Sequence, residues 1–140
     1  MTLAPVPTFS TRRPDEAHIL FVDDDPGMRA LVTINLESEG FLVSTAVDGD
    51  SGLDAVMRLH PDLVVLDVMM PGLDGYAVLA EMRARPEVAE IPVVLLTAKA
   101  TDADVWKGWS AGADYYMTKP FKPEELISFS HSILGTATSW

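Results

Sequence analysis

The sequence of 140 residues contains no cysteine, no long hydrophobic run and few basic side chains. The absence of cysteine excludes disulfides, thiol catalysis, and zinc or iron–sulfur sites with cysteine ligands. The longest apolar stretches, such as residues 63–66, are far too short to span a membrane, and the N-terminus lacks a run of signal-peptide type. We therefore expect a cytoplasmic protein with no membrane partner.

The charge balance is strongly acidic. Lys and Arg together number 10 against 21 Asp and Glu, which gives a formal net charge of -11. Such a surface argues against direct binding of nucleic acid or of an anionic membrane. Hydrophobic residues make up 48% of the chain, so its length and composition suit one globular domain with a buried core.

The chain divides into a short tail and one patterned region. Residues 1–17 contain three prolines and few large apolar side chains, which predicts a flexible N-terminal tail. We expect the folded domain over residues 18–135 and a C-terminal tail over 136–140. Within the domain, five apolar runs alternate with amphipathic stretches, which predicts five parallel strands with helices on both faces of the sheet. Asp25, Asp74 and Asp102 are predicted helix N-caps.

Polar side chains follow four of the apolar runs. They are Asp23 and Asp24 after the first strand, Asp67 after the third, Thr97 after the fourth and Lys119 after the fifth. In open parallel sheets, ligands bind outside the carboxyl ends of the strands. We therefore expect four strands to deliver these side chains to one edge of the sheet.

The acidic residues at this edge predict a cation site. Carboxylates in one crevice repel one another, and a bound cation relieves that repulsion. Oxygen ligands without His or Cys favour Mg²⁺ or Mn²⁺. We expect Asp24 and Asp67 to be direct ligands and Asp23 to bind directly or through water. The backbone carbonyl of Met69 is the expected fourth contribution from the protein.

The same edge has the components for phosphoryl transfer. Asp67 is the best candidate nucleophile, because it ends the most buried strand and carboxylates can accept phosphoryl groups. Phosphoryl transfer depends mainly on placement and on neutralisation of the equatorial oxygens. Lys119 can pair with one of those oxygens, and the hydroxyl of Thr97 can donate to another. Each residue alone has an ordinary structural explanation, so the prediction depends on their joint placement.

Four segments that contain these residues resemble the CheY-like receiver domain of two-component response regulators. The segments are ILFVDDD (19–25), LVVLDVMMPGLDG (63–75), VVLLTA (93–98) and GADYYMTKPF (112–121). The resemblance implies a flavodoxin-like, doubly wound (βα)5 three-layer sandwich with sheet order 2-1-3-4-5. It implies that Asp67 accepts a phosphoryl group from a histidine kinase or a histidine phosphotransfer protein. It also implies a cis peptide between Lys119 and Pro120, and a phosphoacceptor switch rather than an enzyme.

The resemblance extends to signalling. Tyr116 occupies the position of the receiver switch aromatic, and is expected to rotate inward when Thr97 moves toward phosphorylated Asp67. The expected output surface comprises a helix over about 102–112, the fifth strand and the last helix. On that predicted helix, Trp106 and Trp109 lie three residues apart. We hypothesise that one of them contacts a partner, with partial packing on the sheet as the alternative.

Three alternatives to a phosphorylated switch stay open. A phosphatase of the haloacid dehalogenase type would use two acids of the segment 23–25, but 140 residues leave no room for its cap domain. A nucleotide- or flavin-binding module lacks the expected phosphate-binding glycine motifs. The last is a receiver that acts without phosphorylation, which the intact set of site residues disfavours.

The output expected from the sequence is contact between proteins. Because the folded region ends near Trp140, we expect either a single-domain regulator or an excised receiver. Its partners would be a histidine kinase, a downstream protein target and, as an option, a second copy that binds after phosphorylation. The three histidines, His18, His60 and His131, show no arrangement for catalysis or metal binding.

Overall fold

The structure is a computed structural model that describes residues 13–98, 107 and 112–136. Its five strands are β1 (His18–Val22), β2 (Leu42–Ala46), β3 (Leu63–Asp67), β4 (Val93–Thr97) and β5 (Tyr115–Thr118). All neighbouring strands are parallel, in the order β2-β1-β3-β4-β5. The predicted fold class and strand order are therefore confirmed. Most of the helix predicted over 102–112 lies outside the described residues.

Four α-helices lie in the described part of the chain. They are α1 (Pro26–Ser38), α2 (Gly49–Leu59), α3 (Gly75–Arg83) and α4 (Pro123–Leu134). A 3-10 helix (Pro14–Glu16) precedes β1. None of the helices in these ranges has the length and apolar character needed to cross a membrane.

The strands supply two hydrophobic cores, one on each face of the sheet. Successive side chains of a strand point to opposite faces. Phe21 and Val65 accordingly pack with α1 and α4, whereas Val22 and Leu66 pack with α2 and α3. Every residue of β3 and β4 is buried, as expected for strands covered on both faces. The result is three layers, with the sheet between two pairs of helices.

Aspartate side chains begin three of the helices at the carboxyl edge of the sheet. Asp25 accepts hydrogen bonds from the backbone N–H groups of Gly27 (2.9 Å) and Met28 (3.4 Å). Asp48 and Asp74 cap α2 and α3 in the same way. Such caps satisfy N–H groups that have no partner within the helix. The capping role predicted for Asp25 and Asp74 is therefore observed.

The packed region extends beyond both predicted ends of the domain. We expected a flexible tail through residue 17, yet Ala17 is fully buried and its carbonyl accepts a 3.1 Å hydrogen bond from Leu42. At the other end, Thr136 is buried and its hydroxyl lies 2.6 Å from Nδ1 of His131. The hydrogen bond from Leu42 fixes Ala17, and the contact with His131 fixes Thr136. The composition of the two ends reveals neither contact.

Candidate functional site

The parallel register brings the candidate side chains to one edge of the sheet. Val22 pairs with Leu66 across β1 and β3, which places Asp23 and Asp67 at the ends of adjacent strands. Thr97 ends β4 beside Thr118, the last residue of β5. The backbone N–H of Lys119 donates to the carbonyl of Thr97 at 2.7 Å, so the two strand ends are joined.

Three carboxylates form a compact cluster at this edge. Asp23, Asp24 and Asp67 each offer an oxygen, and these oxygens lie within 4.8 Å of one another. Asp23 and Asp67 are buried, whereas Asp24 is exposed. The cluster therefore opens to solvent on the side of Asp24, which leaves a route for an ion or a phosphodonor.

Lys119 joins the two buried carboxylates. Its Nζ lies 2.9 Å from Oδ2 of Asp23 and 3.3 Å from Oδ2 of Asp67. Burial opposes the charged form of this ammonium, but its hydrogen bond with Asp23 and the charges of both carboxylates outweigh burial and raise the pKa of Lys119. The peptide bond between Lys119 and Pro120 is cis. The ammonium is thus charged and held beside Asp67.

The surroundings of Asp67 disfavour its negative charge. Burial, followed by the charge of Asp23, raises the pKa of Asp67, against smaller opposing effects of Lys119 and the N–H of Met69. That N–H lies 3.3 Å from Oδ1 of Asp67, and the Met69 side chain is exposed. Lys119 and the N–H of Met69 therefore do not fully offset the combined effects of burial and of the Asp23 charge on the Asp67 carboxyl group.

The donor atoms of the cluster fit a hard divalent cation. They are carboxylate oxygens, without the nitrogen or sulfur ligands that favour zinc or copper. Burial, and then the charge of Asp23, raises the pKa of Asp67, and a cation here would offset both effects by stabilising the carboxylate. The residues therefore fit Mg²⁺ or Mn²⁺.

Thr97 and Tyr116 share one face of the sheet. Leu95 pairs with Tyr116 across β4 and β5, and Thr97 lies two residues beyond Leu95 on the same face. Thr97 is buried, while Tyr116 is half-buried against the core beneath α2 and α3. Trp106 and Trp109, the candidate partner contacts, lie outside the described residues.

The structure adds two residues at this site that the sequence reasoning missed. Nη1 of Arg29 donates to the backbone carbonyl of Asp23 at 2.8 Å. Gly75, the first residue of α3, lies so close to β3 that a Cβ there would be 2.6 Å from the carbonyl oxygen of Asp67. The sequence did contain a signal for Arg29. It is a basic residue in the first turn of α1, where the helix dipole disfavours positive charge.

The histidines lie in other parts of the structure. Nε2 of His18 is 2.7 Å from the hydroxyl of Ser44. The buried ring of His131 contacts both Thr136 and Glu39. His60 is the C-cap of α2, with a φ of 46°. Among the described residues, the group of side chains that could hold a metal contains no histidine.

Comparison with known proteins identifies the family. The family model for the response regulator receiver domain matches residues 19–130. The DNA-binding dual master transcriptional regulator RpaA of Synechocystis is 44% identical over 116 residues, which cover 83% of this chain and 48% of RpaA. The DNA-binding response regulator MtrA of Mycolicibacterium smegmatis is 47% identical over 110 residues, which cover 79% of this chain and 47% of MtrA.

Solved structures agree with the sequence comparison. The chemotaxis protein CheY4 of Vibrio cholerae has a TM-score of 0.80 and 30% identity, covering 84% of this chain and 98% of its own. A sensor histidine kinase receiver domain from Pseudomonas aeruginosa, solved with magnesium in its active-site cleft, has a TM-score of 0.78 and 32% identity. That match covers 86% of this chain and 98% of the other.

The comparison corrects one prediction. The expectation of no direct nucleic-acid binding is wrong, because RpaA and MtrA, both similar to this chain, are named as DNA-binding regulators. This chain spans about half the length of the curated relatives it matches. The net charge of -11 describes only the residues present, so it does not report on the binding properties of a longer protein that contains such a domain.

The match also decides among the families considered from the sequence. It runs through all four polar strand ends and covers most of the chain. The strand order is the one expected for a receiver domain. This chain therefore belongs to the family of response regulator receiver domains, the phosphoacceptor switches of two-component signal transduction.

Proposed function

We propose that Asp67 accepts a phosphoryl group from a histidine kinase or a histidine phosphotransfer protein. The observation that carries this proposal is the geometry around Asp67. Its buried carboxylate lies 3.3 Å from the Lys119 ammonium and within 4.8 Å of oxygens of two other aspartates. Asp23, Asp24, Asp67 and the backbone carbonyl of Met69 are the proposed ligands of Mg²⁺ or Mn²⁺. The magnesium named for the Pseudomonas receiver domain supports this choice.

In the proposed step, an Asp67 carboxylate oxygen attacks the phosphorus of a phosphohistidine. A new O–P bond forms while the N–P bond breaks, and the released imidazole takes up a proton. When bound, the divalent cation supplies positive charge to the phosphoryl oxygens. Lys119 supplies a second positive charge, and the Thr97 hydroxyl a hydrogen-bond donor. Transfer is stoichiometric, so the domain acts as a switch, with self-catalysed phosphotransfer and autodephosphorylation as its only chemistry.

The proposed switch links the phosphoryl group to the fifth strand. Phosphorylation at Asp67 would draw the Thr97 hydroxyl toward the new oxygens, and Tyr116 would fill the vacated space. The shared face of Thr97 and Tyr116 supports this coupling. A complete switch from 1:99 to 99:1 needs about 5.5 kcal/mol of differential stabilisation. Charge-assisted hydrogen bonds to one phosphoryl group can supply a substantial part of that energy.

The proposed output is a change in protein contacts. We assign it to β5, α4 and the helix predicted over 102–112, where Trp106 or Trp109 would meet a partner. That partner is a downstream protein or a second phosphorylated copy. The names of RpaA and MtrA favour a regulator in which this domain controls DNA binding. A cytoplasmic location is part of the same proposal.

Intact-mass measurement tests the proposed phosphoacceptor. Wild type, Asp67→Asn and Asp54→Asn are incubated with acetyl phosphate, with and without Mg²⁺. Asp54 is an exposed carboxylate on α2 and provides a matched control. We expect one base-labile phosphoryl group on wild type and Asp54→Asn, only with Mg²⁺, and none on Asp67→Asn. An equal gain on Asp67→Asn, or catalytic turnover of phosphate esters, would contradict the proposal.

A further inference from the structure

Arg29 makes a specific contact at the acidic cluster. It is the fourth residue of α1, and its Nη1 donates to the backbone carbonyl of Asp23 at 2.8 Å. Within the described residues, Arg29 forms no ion pair with a carboxylate. Its observed contact is therefore with the backbone, where it acts as a hydrogen-bond donor.

Helix stability does not explain a cation at this place. The N-terminus of a helix carries partial positive charge, so a basic side chain in the first turn costs about 0.3–1 kcal/mol. The first turn of α1 contains no acidic residue, and the N-cap carboxylate of Asp25 bonds the N–H groups of Gly27 and Met28. If Arg29 served only the helix, a neutral side chain would serve it better. The role of Arg29 therefore lies in its contact with Asp23, which acts on the loop after β1.

The contact completes a set of bonds that fixes the loop after β1. The N–H of Asp23 donates to Ala46, and the Asp23 carboxylate accepts from the N–H of Asp25 and from Lys119. The remaining backbone polar group of Asp23 is its carbonyl, which Arg29 holds. Because a peptide unit is planar, holding this carbonyl also orients the N–H and Cα of Asp24.

Asp24 is the ligand that most needs such support. Its side chain is exposed, and its carboxylate has no hydrogen-bond partner among the described residues, although one oxygen lies within the 4.8 Å cluster. Asp23 and Asp67, in contrast, are buried and contact Lys119. The position of the Asp24 carboxylate therefore depends largely on the backbone that carries it.

We propose that Arg29 is a positioning residue for the divalent-cation site, and that it orients the Asp23–Asp24 peptide so that Asp24 can act as a ligand. This inference rests on the proposed function, since it requires that the acidic cluster binds Mg²⁺. Residues that hydrogen-bond to metal-binding groups commonly contribute 10- to 100-fold to metal affinity.

Charge and positioning predict opposite effects for a neutral substitution. Removing a positive charge near three carboxylates makes the cluster more negative, so a purely electrostatic role predicts tighter Mg²⁺ binding by Arg29→Met. Loss of positioning predicts weaker binding, because the Asp24 peptide is no longer held. Arg29→Lys keeps the charge but replaces the planar guanidinium with a shorter point donor.

The test is a titration of each protein with MgCl₂ at constant ionic strength, monitored by the amide NMR signals. The Tm of each metal-free protein is measured as well. The proteins are wild type, Arg29→Met, Arg29→Lys and the control Arg58→Met. Arg58 is an exposed arginine on α2 that pairs only with Asp54 at 3.7 Å in the described structure. We expect the Kd of Arg29→Met to rise about tenfold, with a smaller rise for Arg29→Lys and none for Arg58→Met.

The outcomes separate this inference from the proposed function. Equal or tighter Mg²⁺ binding by Arg29→Met, with wild type binding normally, would overturn the positioning role and leave the proposed function intact. Absence of Mg²⁺ binding in wild type would overturn both. If Arg29→Met does not fold, Arg29→Lys decides the question, because its charge is unchanged. Wild-type affinity in that variant would overturn the inference, and weaker affinity would support it.

Discussion

At the scale of single residues, the site depends on an imbalance of charge. Lys119 contacts both buried carboxylates, yet the pKa of Asp67 is still raised by burial and by Asp23. The metal-free fold therefore carries an electrostatic cost when Asp67 ionises. A bound cation offsets that cost, because its positive charge stabilises the ionised carboxylates. The electrostatic cost of the metal-free state therefore favours cation binding.

Asp67→Asn should make the metal-free protein more stable at neutral pH. A carboxyl group whose folded pKa lies above its ordinary 3.8 destabilises the fold as it ionises, so stability falls as pH rises through that interval. The amide does not ionise. We therefore expect the Tm difference between variant and wild type to grow as pH rises from 3.8 through the folded pKa, and then to level off.

Thermal unfolding across pH, with and without Mg²⁺, measures this effect. Asp54→Asn, at an exposed site, should follow wild type across the same range. Saturating Mg²⁺ should raise the Tm of wild type more than that of Asp67→Asn, since only the former keeps all three carboxylates. A metal-free Asp67→Asn protein that unfolds below wild type at neutral pH would refute this account of the charge.

At the scale of secondary-structure elements, the start of α3 fixes the chain after Asp67. The N–H of Gly75 donates to the carbonyl of Val68 at 3.0 Å, and Asp74 caps the helix. A Cβ at position 75 would lie 2.6 Å from the carbonyl oxygen of Asp67 and 2.8 Å from Cα of Val68. Because both are backbone atoms, neither can move without displacing the site loop.

Gly75→Ala should therefore destabilise the fold, although alanine is ordinarily the better helix former by about 1 kcal/mol. Overpacking against backbone should lower the free energy of unfolding by about 2 kcal/mol, and displacement of the loop should weaken Mg²⁺ binding. Urea unfolding provides the measurement. The control is Gly27→Ala, where a Cβ would meet only a side-chain oxygen at 3.3 Å. An unchanged or higher stability for Gly75→Ala would show that the loop is not held by this contact.

The elements that could be predicted are those whose signal is local. The fully apolar run Leu63–Leu66 identified the central strand, and Asp25 before Pro26 identified the start of α1. The packing of Ala17 could not be predicted from the sequence, because Ala17 is held by a bond from Leu42, a partner far along the chain. The periodicity of the sequence does not predict a backbone hydrogen bond between residues so far apart in the chain.

At the scale of the whole molecule, Arg83 ties together segments that are distant in sequence. Its guanidinium donates to the carbonyls of Ala89, Ile91 and Gly112, and pairs with Asp114 at 2.9 Å. The same Asp114 carboxylate accepts from the N–H of Val93 at 2.8 Å. One side chain therefore connects the end of α3 with the starts of β4 and β5.

Arg83→Met should lower the free energy of unfolding by about 3 kcal/mol, because three carbonyls lose the guanidinium donor together and Asp114 keeps only its bond from the N–H of Val93. Arg58→Met, which removes a single exposed pair, should change stability by less than about 1 kcal/mol. Equilibrium urea unfolding of both variants measures the difference. Similar small losses in the two variants would mean that Arg83 does not hold these segments together.

The candidate site was more predictable from sequence than the contacts that support it. Parallel strands end at one edge, so Asp23, Asp67 and Lys119 could be placed together from their strand ends alone. Arg29 and Arg83 bind backbone carbonyls, whose position depends on the completed fold and not on residue type. The acidic charge of the chain led to the wrong expectation about nucleic-acid binding. Net charge describes only the residues present, and the relatives named as DNA-binding are about twice as long as the matched region.

The central claim is that Asp67 is the residue that becomes phosphorylated. Borohydride reduces an aspartyl phosphate to homoserine, so treatment after incubation with acetyl phosphate and Mg²⁺ marks the acceptor permanently. Peptide mass spectrometry then identifies the converted position. We predict homoserine at residue 67 alone, and none when Mg²⁺ is removed. Conversion at Asp23 or Asp24, with residue 67 still aspartate, would contradict the account.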